Sequence, residues 1–234
     1  MRAWQIAFIF LVGRFKHSIN FSTSPKKQRE IIFHVARIAT ILEDEFDSDS
    51  SRLTSENVRS VVFGTNEDPL LKQISKQVAL SISRIKEIAV KDEFYEKFLE
   101  KLAATWETHK LRDHKESKSI SEVDALQSCE DRGGFYFLAL LFALQPTKNL
   151  TSQLENMVYL SGAWIQLVDD YADREKDLGH KNTLFTIPQT ESAQKLLGTH
   201  KSSYKNRIQS LQDAPSLIVL LGIYSFVWPI ITYL

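Results

Sequence analysis

Asp169, Asp173 and Asp177 stand four residues apart. At about 100° per residue each step of four drifts by only about 40°, so a helix carries all three carboxylates on one side. Like charges at that spacing repel by roughly a few tenths of a kcal/mol per pair in water, and by more where the face turns inward. A hard divalent cation relieves the repulsion, because Mg2+ takes carboxylate oxygens and completes its octahedron with water and phosphate oxygens. The same residues also fit a solvated acidic helix end with Arg174 and Lys176 as local counter-charges.

A second acidic cluster lies far upstream. Asp44 and Asp47 are i, i+3 neighbours, and Glu43 stands four residues before Asp47. They close an apolar stretch that holds Ile31, Ile32, Val35, Ile38, Ala39 and Leu42 at helical spacing. Carboxylates at a helix C-terminus oppose the macrodipole, although an acidic end running into the serine-rich Ser48-Asp49-Ser50 is also ordinary surface chemistry. Two apolar helices that each deliver carboxylates at one end can hold Mg2+ ions over an apolar pocket. A diphosphate ester with a long hydrocarbon tail matches such a site at both ends.

The elements that must position these groups are helices. The chain has 234 residues, enough for one large domain or two small ones, and only 8 Gly and 6 Pro interrupt segments of helical spacing. Its 29 basic and 29 acidic residues balance, which argues against an electrostatic nucleic-acid partner. A single cysteine, Cys129, excludes an intrachain disulfide. Helices are expected from Pro25, over Ser55–Gly64, over Leu70–Ile88 with Leu71, Ile74, Val78, Leu80, Ile82, Ile85 and Ile88 as its apolar stripe, and from Glu93 to about His109. His109 and His114 do not share a helical face and read as surface histidines, and Lys110 to Lys118 as a charged loop or exposed helix end. Gly133-Gly134 marks a break, a bend or a close approach by a ligand, or a plain loop between helices. Leu150 to Asp177 reads as one acidic-ended helix.

The run Trp164-Ile165-Gln166-Leu167-Val168-Asp169-Asp170-Tyr171-Ala172-Asp173 is similar to the second Asp-rich motif of trans-prenyl diphosphate synthases. Together with Asp44-Glu45-Phe46-Asp47 and the polar turn before Phe185, it resembles the class I terpenoid synthase superfamily, above all the tetraprenyl-β-curcumene synthase, or large-terpene synthase, family. Asp170 replaces the usual aromatic beside the first Asp, Leu178-Gly179-His180-Lys181 replaces a more acidic turn, and the chain is shorter than that family's members. The resemblance, which runs from about Ser24 onward, implies an all-α helical bundle around a central apolar cavity; residues 1–234 are expected to form one domain, with 1–23 as a peripheral N-terminal helix. It implies a Mg2+-dependent terpene cyclase that ionises a prenyl diphosphate. Asp44, Asp47, Asp169, Asp173 and Asp177 would hold the metal, Arg132 and Lys181, with Arg207 as a more exposed third, would hold the diphosphate, and Phe135, Phe137, Trp164 and Tyr171 would line the cavity. Lys181-Asn182-Thr183-Leu184 resembles a stretch of the prenyl diphosphate synthases, so chain elongation is the alternative activity. A non-catalytic scaffold or relic of the superfamily is the other alternative.

Both ends of the chain are apolar. Met1 to Phe15 has the length of a signal-peptide core, but without a small-residue cleavage site it reads as a buried first helix. Ala214 to Leu234 carries no charge, and Ser216–Leu234 is nineteen residues long, close to the ~20 that span a bilayer. Pro229 interrupts it, so a buried or membrane-surface helix is expected there. The expected protein is cytoplasmic, with peripheral membrane contact through this segment and room for a homodimer. Asn20-Phe21-Ser22 and Asn149-Leu150-Thr151 fit the glycosylation pattern, which is common by chance.

Overall fold

Proline at a first helical position presets φ and gives up an amide hydrogen that would have no partner. Pro25 opens α1, Pro25–Phe46, in this way. In the computed structural model, which describes residues 21–48, 52–89, 92–112, 120–146, 151–187 and 191–209, every regular element is a helix, and the protein is all-α. The expected N-terminal helix, the apolar C-terminal segment, Asn20, Asn149 and His114 lie outside the described residues. No helix among the described residues is long and apolar enough to cross a membrane.

The chain divides into two compact units. One takes residues within His17–Lys110 together with Leu138–Asn149, and the other takes Leu111–Phe137 and the described residues from Leu150 onward. In the first, α1 buries the face expected of it, with Ile31, Ile32, Val35, Ile38, Ala39 and Leu42 joined by Ala36 and Phe46. α2, Val58–Phe63, ends at Gly64, whose φ of 71° is the left-handed conformation that glycine enters without a Cβ penalty. α3, Lys72–Ile88, packs on α1 and buries Val78, Ile82 and Ile85. Leu80, expected in that stripe, is 56% exposed instead: two residues from Val78 is about 200° around the helix. α4, Asp92–Glu107, buries Phe94, Phe98, Leu99, Leu102 and Trp106 and is followed by the short α5, His109–Arg112.

α6, Glu122–Ala143, runs unbroken through Gly133-Gly134. Its last residues belong to the first unit, where Ser22 N and Oγ donate to the Gln145 carbonyl and Thr23 Oγ1 donates to that of Leu144, satisfying carbonyls that a helix end leaves open. In the second unit α7, Ser152–Ala172, begins at Thr151, whose hydroxyl accepts from Leu154 N. The single helix expected over Leu150–Asp177 is interrupted: Asp173 leaves helical geometry at φ −89°, ψ 3°, and one further turn, α8, Arg174–Asp177, follows. Aspartate is a poor helix former and four lie in this stretch. α9, Ala193–Gln209, packs on α7.

Candidate functional site

The acidic end of α7 is held in place by a glycine crossing. A Cβ on Gly133 would meet the Gly162 carbonyl oxygen at 2.2 Å, and a Cβ on Gly162 would meet the Gly133 carbonyl oxygen at 2.2 Å. Only two bare backbones fit at such a distance. A Cβ on Gly134 would collide with the Tyr159 ring. The glycine pair is therefore neither a loop nor a ligand approach; it is where α6 and α7 touch.

That contact brings Arg132 of α6 to Asp170 of α7. The two form an ion pair at 2.5 Å with Arg132 6% and Asp170 2% exposed. Gln166 Nε2 donates to Asp170 Oδ1 at 3.0 Å and to Asp169 Oδ2 at 3.4 Å. The buried Cys129 thiol lies near Asp170, and its pKa is pushed well above the ordinary thiol value, first by burial and then by the Asp170 charge. Arg132, expected on the diphosphate, is thus engaged by Asp170, the residue at which this sequence departs from the resembling family.

The three spaced aspartates have different surroundings. Backbone bonds Asp173 N to Asp169 O and Asp177 N to Asp173 O, each 2.9 Å, keep the four-residue spacing through the irregular turn. Asp169 and Asp173 are half-buried. Desolvation by burial raises the Asp173 carboxyl pKa above its ordinary value; Lys176 opposes the rise, Asp177 adds to it, and Lys181 opposes it more weakly. Asp177 is buried between two cations, Lys181 Nζ at 3.6 Å from Oδ1 and Arg112 NH2 at 3.7 Å from Oδ2. The Gly179 turn (φ 80°) returns the chain so that Asn182 N donates to the Arg112 carbonyl at 2.6 Å and Asn182 Nδ2 to that of Leu111 at 3.1 Å. Sequence reading missed Arg112 and Asn182. Arg112 sits inside a charged stretch read as a loop or exposed helix end; it closes α5 but is buried, and nothing in its spacing announces a partner so far downstream.

No family model, curated protein or solved structure matches this chain. The site has to be judged on its own chemistry. Among the described residues no group of three or more His, Cys, Asp or Glu side chains converges as a metal cage. Mg2+ does not require one, since it binds through one or two carboxylates and completes its shell with water and phosphate oxygens. Asp169 and Asp173, hard oxygen donors one turn apart with Asp173 short of solvation, fit that smaller role. Asp177, already between Arg112 and Lys181, does not.

In the other unit Asp44 and Asp47 are exposed at the end of α1. Between them Phe46 turns inward and stacks on His109 at 4.3 Å and Trp106 at 5.8 Å. His109 is 2% exposed, a core residue and not the surface histidine expected. Its ring offers a flat apolar face to two others, which the five-residue spacing to His114 does not reveal.

The four expected cavity aromatics separate into two pairs. Phe137 and Trp164 are core side chains, Trp164 being packed on Tyr204 at 5.5 Å. Phe135 and Tyr171 are half-buried, Phe135 edge-on to Tyr159 and Tyr171 edge-on to Phe185 with the Arg174 guanidinium 4.5 Å from the Tyr171 ring. Arg207 is exposed, as expected, and bonds Glu130 at 2.6 Å, while Tyr204 donates to the same Glu130 oxygen at 2.7 Å. Burial pushes the Tyr204 phenol pKa far up, and its hydroxyl remains a donor.

Proposed function

We propose that the chain is a magnesium-dependent class I terpene cyclase acting on a prenyl diphosphate, with the helical bundle and apolar cavity of that superfamily. The observation that carries the reading is the pairing of opposite chemistries at one helix end. Asp169 and Asp173 present carboxylates, and Arg112 and Lys181 meet at Asp177 within 4 Å. A metal diphosphate needs both kinds of group.

Asp169 and Asp173 would hold Mg2+ in the second unit, and the exposed pair Asp44 and Asp47 would do so at the end of α1. Bound Mg2+ supplies Lewis-acid charge that makes diphosphate a better leaving group. Arg112 and Lys181 donate charge-assisted hydrogen bonds to the phosphate oxygens, Arg112 through its planar fork. Asp177 keeps the two cations together before substrate arrives. The allylic C–O bond breaks with both electrons leaving on diphosphate. The faces of Phe135 and Tyr171 then stabilise the carbocation by roughly 0.5–2 kcal/mol each, until it loses a proton to the released diphosphate and leaves as a hydrocarbon.

The test is diphosphate release from prenyl diphosphates of several chain lengths, with and without Mg2+, followed by product extraction. The wild type is expected to release diphosphate only with Mg2+ and to yield a hydrocarbon. Asp169→Asn and Asp173→Asn are expected to lower kcat/KM at least about 100-fold, more than the loss of an outer-shell partner. A longer diphosphate product would assign chain elongation instead. Folded wild-type protein that releases nothing at any chain length would leave a scaffold.

A further inference from the structure

We infer that the outward face of α9 is a docking surface for an anionic lipid membrane. α9 carries Lys195, His200, Lys201, Lys205 and Arg207 and no acidic residue, in a chain whose formal net charge is zero. The basic residues are sorted by side. At about 100° per residue, Leu196, His200, Tyr204 and Arg207 fall within an arc of about 80°, and this is the side the core takes. Leu196 and Tyr204 are buried, Tyr204 and Arg207 bond Glu130, and His200 lies within electrostatic reach of Glu122 and Glu130 of α6.

Lys195, Lys201 and Lys205 occupy an arc of about 120° on the other side, and all three are exposed. Gly198 and Ser202 fall in the same arc, so the surface between the lysines is low. Gly198 has open space where a side chain would be. Lys195 pairs with Glu191 at 2.8 Å, an exposed i, i+4 contact that water already weakens. Apart from Glu191, the acidic partners of this helix lie inward, and the lysine face looks to solvent.

The composition of the chain beyond α9 points to the partner of that face. Only Ser210 to Asp213 separate Gln209 from the uncharged Ala214–Leu234. Lasting membrane attachment takes two signals, an apolar group that enters the bilayer and a basic patch that anionic headgroups attract. α9 supplies the second signal directly before a stretch whose composition supplies the first. Nucleic acid would use the lysines and leave that stretch without a role.

The test is flotation of the full chain with vesicles of pure phosphatidylcholine and of an equal mixture of phosphatidylcholine and phosphatidylserine. Each lysine is expected to contribute about fivefold, equivalent to about 1 kcal/mol, so binding to the mixture should exceed that to the pure lipid by roughly 100-fold. The preference should shrink as added salt shortens the screening length. The triple variant Lys195→Glu, Lys201→Glu, Lys205→Glu should lose it while keeping the wild-type thermal melt. Equal binding of wild type to both vesicles, or an undiminished preference in the triple variant, would overturn the inference. Duplex DNA bound with the same salt dependence, in preference to the mixed vesicles, would also overturn it. Vesicle binding does not depend on the proposed activity, so either can fail without the other.

Discussion

Arg132 and Asp170 form an ion pair with little water around either group, and removing one member strands the other. Arg132→Met is expected to cost about 3–5 kcal/mol in a denaturant melt, whereas the double variant Arg132→Met, Asp170→Leu should recover most of it, since an apolar pair of similar volume replaces a buried ion pair at little cost. Gln166 bridges Asp170 to Asp169, which makes it a positioning residue in the proposed site. Gln166→Leu should weaken the apparent Mg2+ affinity about 10–100-fold, read as a shift in metal concentration dependence with a smaller change in stability. Asp173 provides a pH signature. Its folded carboxyl pKa is raised above 3.8, so between that value and the raised one the folded chain keeps a proton that the unfolded chain has released. Stability therefore falls as pH rises through this window. Asp173→Asn should flatten the slope and melt above the wild type at neutral pH, as thermal melts between about pH 4 and pH 7 would register.

Helices α6 and α7 meet backbone to backbone, and alanine scanning of their glycines should separate contact from propensity. Gly162→Ala gains roughly 1 kcal/mol of helix propensity but drives a methyl into a carbonyl oxygen that cannot step aside. A net loss of about 3 kcal/mol or more is expected. Gly198→Ala, in exposed α9 with open space around it, should instead stabilise by about 0.5–1 kcal/mol. Denaturant midpoints of the two variants moving in the same direction would contradict the crossing. The core faces of α1 and α4 were legible in the sequence because burial follows apolar periodicity, which is local. The glycine contact was not: Gly133-Gly134 signals only a local cost, and what offsets it is Gly162 on another helix. The fate of Asp177 was hidden for the same reason, since spacing assigns a side of the helix and says nothing of the Arg112 and Lys181 that face it.

At the scale of the whole molecule, two units share one continuous helix, α6, whose N-terminal part packs with α7 and whose C-terminal part is sealed by Ser22 and Thr23. All-α class was readable from composition and spacing alone, because few glycines and prolines interrupt long periodic segments. Division into units was beyond that reach, since a helix running through both leaves no composition shift at a boundary. The chain's one cysteine lies on α6 beside Asp170, buried and with ionisation opposed. A thiol reagent reaches it only from conformations in which that packing has opened, and no second thiol contributes to the signal. Labelling of Cys129 is therefore a built-in clock for opening. Its rate should be negligible in the native protein and climb with denaturant in step with global unfolding, and a climb well before the main transition would mean that α6 comes away first.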